Sequence, residues 1–407
     1  MAVQAEKRSG SKPRIDEITI LRALAFCVIV LQHSIGEYIY RPDILPQDAV
    51  MLGMLYHFTR YGTLTFVLVS TIILFYNYNS KVAYGPFLLK RAKAVLLPFA
   101  LWTLIYGVYI LRAELLTAAG WSKLLRQFID PTYGYHMWFI LMIFQLYLIF
   151  PWLARGVEYL QAKAKQRYGD DLRKPVMILL IVMGAAYMLL MDWSYRIAPQ
   201  WAQGVGALGQ EVLGHRTMFV GMYFFYIVLG IVCALYLKEW RHHVKRIAGW
   251  AAIVFIIGYI YAGYRLLAGG IAPMNLNLST YFKPSIFVLI ISQIIVLYAA
   301  ALYILDKHGW AARVLKQIGT YSFGGYLVHA LVLSLVANWT RGLALEGYHL
   351  VATAATFVVV FSVSLFIAWC LDKLPFGVWF TGPMGRRNST ARSVGATASD
   401  RKGTASV

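Results

Sequence analysis

The chain has 407 residues, of which 59% are hydrophobic and 14% charged, whereas about a quarter of the residues in soluble domains carry charge. That balance excludes a water-soluble globular protein, and no polar stretch is long enough to fold by itself, so one membrane domain is expected. The formal charge of +20 does not point to nucleic acid, because Lys and Arg fall between apolar runs and alternate between crowded and sparse loops.

In chain order, residues 1–14 read as a basic, disordered cytoplasmic tail. Runs of roughly 20 apolar residues, the length that crosses a ~30 Å hydrocarbon core, then predict transmembrane helices at 17–37, 59–77, 94–112, 136–154, 175–193, 217–237, 247–267, 284–304, 319–338 and 350–371. The first is too long for a signal-peptide apolar region and is expected to stay as an anchored helix. Residues 382–407, dominated by Gly, Ser, Thr and Arg, read as a second disordered tail and leave 15–381 as the membrane domain. Of the 38 Lys and Arg residues, 27 fall in the loops and tails assigned to the cytoplasm and 10 in the outer loops, and Arg22 alone is assigned to a span interior. The fold class is thus all-α and polytopic, with about ten transmembrane helices and both termini cytoplasmic. Outer loops 112–135 and 194–216, rich in Gly, Pro, Trp and Tyr, are long enough to fold over the outer mouth. Cys27, Cys233 and Cys370 are scattered through apolar runs, which suggests no disulfide framework and no metal site.

A charged or ionisable side chain inside a span is a functional candidate by default. Arg22 and His33 are eleven residues apart. At ~100° and 1.5 Å per residue both leave one face of the first helix, ~16 Å apart along its axis. Glu37 follows His33 at i+4, where a carboxylate can orient the ring and stabilise its imidazolium form. In the competing reading, Arg22 snorkels to the inner headgroups and His33 sits at the outer interface.

Four segments carry a family resemblance. RIDEITILRALAFCVIVLQHS (Arg14 to Ser34) resembles the opening of the membrane-bound acyltransferase 3 family, whose signature is an Arg and a His separated by ten residues in the first helix. FLLKRAKAVLLPF (Phe87 to Phe99) resembles the family's basic cytoplasmic motif, HMWFI (His136 to Ile140) its middle-helix segment, and YSFGGYLVH (Tyr321 to His329) its late Ser-x-x-x-Tyr-x-x-His helix. Two departures stand out. The family's second arginine, three residues on in the basic motif, is Ala94 here, with Lys90 and Lys93 as an alternative pair; and Ser70-Thr71 stands where Ser-Gly is common.

The resemblance implies an integral O-acyltransferase of the plasma membrane, moving acetyl or succinyl from cytoplasmic acyl-CoA to a hydroxyl of a cell-surface or extracellular polysaccharide. His33 is then the general base, since a neutral imidazole titrates near working pH. Arg22 serves the donor end or the shape of the passage, and an acyl-histidine intermediate is an alternative route. Lys90, Arg91 and Lys93 are expected at the coenzyme A phosphates; their other reading is the positive-inside rule by itself. His136, Trp138, Tyr326 and His329 are expected around the acceptor, against a reading of His136 and Trp138 as interfacial anchors and of Tyr326 and His329 as a buried hydrogen-bonded pair. His57, His215 and Tyr281 read as membrane-interface residues. Expected partners are membrane lipid, acyl-CoA, the glycan acceptor and polysaccharide synthase or export proteins, with no nucleic acid and no metal. The rival class is a polysaccharide transporter or flippase, for which paired half-repeats are the usual sign; the sequence shows none.

Overall fold

The structure, a computed structural model, describes residues 13–271 and 273–383. Residues 1–12 and 384–407 of the two expected tails lie outside the described residues. Among the described residues no strand forms beyond an isolated bridge between Ile271 and Met274. The helices are α1 (Asp16–Tyr38), α2 (Pro46–Phe58), α3 (Tyr61–Asn77), α4 (Tyr84–Leu111), α5 (Ala118–Arg126), α6 (Trp138–Tyr168) and α7 (Arg173–Asp192). There follow α8 (Ala198–Gly204), α9 (Ala207–Gly214), α10 (Phe224–Leu235), α11 (Leu237–Ala268), α12 (Pro284–Asp306), α13 (Trp310–Thr340), α14 (His349–Lys373) and α15 (Val378–Thr381). Short helices α5, α8 and α9 occupy the two longer outer loops.

Nine helical runs among the described residues are long and apolar enough to cross a membrane, with α2 and α3 forming one of them. The protein is therefore an all-α multi-pass membrane protein. The expected span 217–237 is shorter than the rest: only Val220–Leu235 is apolar and helical, about 24 Å at 1.5 Å per residue. Its entry consists of the 3₁₀ turns Arg216–Met218 and Val220–Tyr223. Gln145 of α6 satisfies their backbone, donating to the Met218 carbonyl (2.7 Å) and accepting from the Val220 N–H (3.1 Å). Such a partner is what allows irregular backbone at this depth. Elsewhere helices overrun their apolar windows, as where α6 runs on to Tyr168, because Ala, Lys, Gln and Glu in 155–168 favour helix beyond the lipid.

Helix α1 is the axis of the bundle. Two thirds of its apolar window (67%) is buried inside the protein, against 11% for the run Arg173–Gly204, which faces lipid. α1 packs on α13, α14, α3 and α12. The α1–α13 approach is close because Gly319 of α13 faces the α1 backbone: a Cβ there would lie 1.9 Å from the Thr19 carbonyl oxygen. Close backbone contact through small residues is how membrane helices gain dispersion energy where lipid offers no hydrophobic drive. Both ends of α1 are tied down. Buried Glu17 accepts from Arg241 of α11 (2.7 and 3.1 Å) and from the Tyr298 hydroxyl of α12 (3.2 Å). At the other end the Tyr38 hydroxyl meets Thr356 of α14 (2.6 Å) and donates to Thr340 of α13 (3.2 Å). The face of α1 that carries Arg22 and His33 is thereby held fixed against α13.

Candidate active site

Two cavities lie along this face, at opposite ends of α1. The larger, about 520 Å³, is lined by Arg14 just before α1, by Arg22 of its N-terminal half, by Arg91 of α4, and by Tyr147 of α6. The smaller, about 210 Å³, is lined by Gln32 and His33 of the C-terminal half and by Arg60, Tyr135, His136, Trp138, Tyr281 and Tyr326. Phe66 and Phe139 line both. Their rings lie 6.2 Å apart, and each is within 6.2 Å of the Tyr326 ring, so three aromatic side chains from α3, α6 and α13 pack together at the boundary of the cavities.

Three imidazoles meet beside the smaller cavity. His33 of α1 lies 5.3 Å, centroid to centroid, from His329 of α13, which lies 4.5 Å from His136 at the entry to α6. The Tyr135 ring stands edge-on to His33 at 4.9 Å. The Tyr326 hydroxyl donates to the His136 carbonyl, which ties α13 to the start of α6. His329 Nδ1 lies 2.6 Å from the Tyr326 carbonyl. A carbonyl only accepts, so Nδ1 carries a proton, and in the neutral ring Nε2 keeps its lone pair. That Nε2 is buried and has no hydrogen-bond partner among the described residues, whereas nearly all buried polar atoms in folded proteins have one. Among the described residues no group of three or more His, Cys, Asp or Glu is placed to hold a metal ion.

In the larger cavity the Arg91 guanidinium is caged by the rings of Tyr78 (4.8 Å), Tyr147 (5.3 Å) and Phe87 (5.5 Å). Arg22 and Arg91 therefore present fixed positive charge to one cavity, while His33 belongs to the other.

With this geometry in hand, the comparison with known families is decisive. The model of the acyltransferase 3 family, described as an acyltransferase domain, matches residues 15–373. The chain belongs to that family. No curated protein and no solved structure gives a match. As an acyltransferase 3 member the protein is a membrane acyltransferase, and the matched region takes in α1, α3, α4, α6 and α13, which carry most of the lining of the two cavities.

The structure gathers some of the expected site residues of this acyltransferase and separates others. His33, His136, Trp138 and Tyr326 line one chamber, with His329 against three of them. Glu37 is elsewhere: its carboxylate faces Arg341 (3.3 Å) and Arg41 (3.5 Å), whose fixed charges attract it more than an imidazole does. Of the basic triplet only Arg91 reaches a cavity, while Lys90 and Lys93 are exposed. Helical geometry explains the split, since positions two apart point ~160° away from each other. Several chamber residues escaped the sequence reading, Gln32, Arg60, Tyr135 and Tyr281 among them. Tyr281, read as interfacial, lines the chamber; Arg60, at the edge of the expected span 59–77 and counted with the outer-loop basic residues, is buried in its wall. The available signal was that Arg60 sits at the edge of an apolar window, where a basic residue is easily counted as loop.

Proposed function

We propose that this membrane acyltransferase moves a short acyl group, acetyl or succinyl, from acyl-CoA on the cytoplasmic side to a hydroxyl of a cell-surface or extracellular polysaccharide. It works in the plasma membrane, alongside proteins that make or export the glycan. The observation that carries the reading is the pair of cavities along α1, one lined by Arg22 and Arg91, the other by His33, meeting at Phe66 and Phe139.

Coenzyme A brings phosphates, and the larger cavity offers two guanidiniums suited to pair with them bidentately. The pantetheine arm then carries the thioester toward the aromatic boundary. In the smaller chamber the His33 imidazole takes the proton of the acceptor hydroxyl as its oxygen attacks the thioester carbonyl. Gln32 and Tyr135 bring N–H and O–H groups to the same chamber, where a developing oxyanion needs donors. Collapse of the tetrahedral intermediate breaks the C–S bond. The imidazolium returns its proton to the departing thiolate, and ester and free CoA result.

The test uses purified protein in nanodiscs with acetyl-CoA or succinyl-CoA and a glycan acceptor, following free CoA with a thiol reagent and the glycan by mass spectrometry. Removing a general base lowers turnover by about 10²–10⁴, so His33→Ala should abolish detectable transfer while leaving CoA binding intact. A His33→Ala protein that modifies glycan as fast as the parent rules out the assignment.

A further inference from the structure

Arg60 is the residue of the smaller chamber that acyl transfer to a neutral hydroxyl leaves unused. It stands at the N-terminal boundary of α3, just after α2, and it is 7% exposed. Its guanidinium lies between the rings of Tyr56 (5.1 Å) and Tyr281 (4.9 Å), and Nη1 donates to the Tyr56 hydroxyl (3.0 Å). Its Nε is buried and has no acceptor among the described residues. Other arginines of this end, Arg41 and Arg341, share the carboxylate of Glu37. Arg60 forms no ion pair with any described residue.

A guanidinium this largely buried without a counter-charge is an unfavourable arrangement, and tyrosine faces compensate it only in part. It persists where an anion arrives, and the planar fork of Arg matches a carboxylate. The chamber is smaller than the roughly 300–1,000 Å³ of pockets that enclose a whole ligand, so it takes only the reacting end of a substrate. His33 lines the same small space, which puts the anion next to the bond being made.

We infer that Arg60 makes the His33 chamber a receptor for a carboxylate borne by a substrate close to the reacting group. This rests on the acyl-transfer reading above. Two sources share that chemistry: the free carboxylate of a dicarboxylic acyl donor such as succinyl-CoA, or the carboxylate of a uronic-acid acceptor.

Two matched comparisons separate the sources, each run on the full-length protein in nanodiscs. Succinyl-CoA is set against acetyl-CoA with a neutral glucan oligosaccharide, and a glucuronate-containing oligosaccharide against its glucose analogue with acetyl-CoA. A charge-assisted pair with a buried guanidinium changes affinity by about 10- to 100-fold. In the wild type, kcat/KM should favour the carboxylated member of one comparison by at least about 10-fold, and Arg60→Gln should reduce that preference to near unity. Preference in the first comparison assigns the carboxylate to the donor, and in the second to the acceptor. Equal kcat/KM for both members of both comparisons in the wild type overturns the proposal while leaving CoA-dependent transfer standing. So does a preference that survives in Arg60→Gln. Absence of CoA release in every combination overturns the acyl-transfer reading instead. The wild-type comparisons need no variant, so poor folding of Arg60→Gln leaves the test decisive, and Arg60→Lys, which keeps the charge without the fork, should retain part of the preference.

Discussion

Substituting Gly319 by Ala adds one methyl group where α13 crosses α1, and the structure sets the size of the effect. The new Cβ would stand 1.9 Å from the Thr19 carbonyl oxygen, 2.9 Å from its carbonyl carbon and 2.8 Å from its Cγ2. Carbon and oxygen approach to about 3.3 Å at closest, so the two helices must separate by about 1.4 Å. The obstacle is backbone, so no side-chain rotation relieves it. Overpacking of this kind costs about 1–3 kcal/mol. The functional effect is larger, because α1 carries Arg22 and His33 whereas α13 carries Tyr326 and His329. A misplacement of ~1 Å between such walls costs about 10²-fold in rate. The experiment measures acyl transfer together with the midpoint of thermal unfolding, read by size-exclusion chromatography after heating in detergent. Gly36→Ala on the same α1 helix is the control, since nothing lies within 4 Å of its added Cβ. Gly319→Ala should melt several degrees lower and turn over about 100-fold more slowly than Gly36→Ala. Equal stability and equal activity in the two variants would refute the argument that this contact fixes the site.

The tie at the other side of α1 predicts non-additivity. Glu17→Gln and Arg241→Gln should each lower stability by about 1.5 kcal/mol, near the bottom of the range for hydrogen bonds to charged groups because the Arg241 side chain is 42% exposed and can turn to water. The double variant should lose little more than either single one; additive losses in thermal unfolding argue against a shared bond. In the larger cavity, Arg91→Gln should weaken CoA binding about 10-fold by isothermal titration calorimetry, while Lys90→Gln and Lys93→Gln change it less than about 3-fold, as expected of exposed charges. On the outer loops, the His215 Nδ1 donates to the Glu211 carbonyl (2.9 Å) and Nε2 faces Asp130 (3.3 Å), and these contacts raise its pKa above the ordinary imidazole value. A raised folded-state pKa contributes stability that is fully present below the unfolded value of about 6.5 and is lost as pH rises through the folded value. Hydrogen exchange corrected for intrinsic rates should therefore show residues 207–219 better protected at pH 5.5 than at pH 8.5, and His215→Gln should erase the difference.

Sequence reading went furthest where one helix sufficed. The eleven-residue spacing of Arg22 and His33 places both on the cavity face because α1 is continuous from Asp16 to Tyr38. The same arithmetic puts Glu37 on the His33 face, but it says nothing of Arg341, which is 304 residues away and faces the carboxylate in the folded chain. Adjacency in sequence also suggested a single basic cluster at 90–93, whereas a helix turns neighbouring residues to different sides. The meeting of His33, His136 and His329 depends on three helices packing together, and no local pattern carries that. Arg60 was legible only as a charge at the margin of a hydrophobic window; its burial comes from the direct succession of α2 and α3 and from Tyr281 far along the chain.

The three rings of Phe66, Phe139 and Tyr326 have a further consequence for the cell. A protein with hollows that hold arginine or histidine at opposite ends of one central helix risks becoming a pore, and across an energised bilayer a leak of protons or ions discharges the gradient. Narrow apolar constrictions stop such leakage by expelling water, which breaks the continuous file that carries protons. Phe66 and Phe139 line both hollows and Tyr326 packs against them, which puts apolar side chains at the boundary where such a constriction is needed. Trimming Phe66 and Phe139 to alanine would turn a tight enzyme into a conductive one, visible as dissipation of a pH gradient in sealed proteoliposomes.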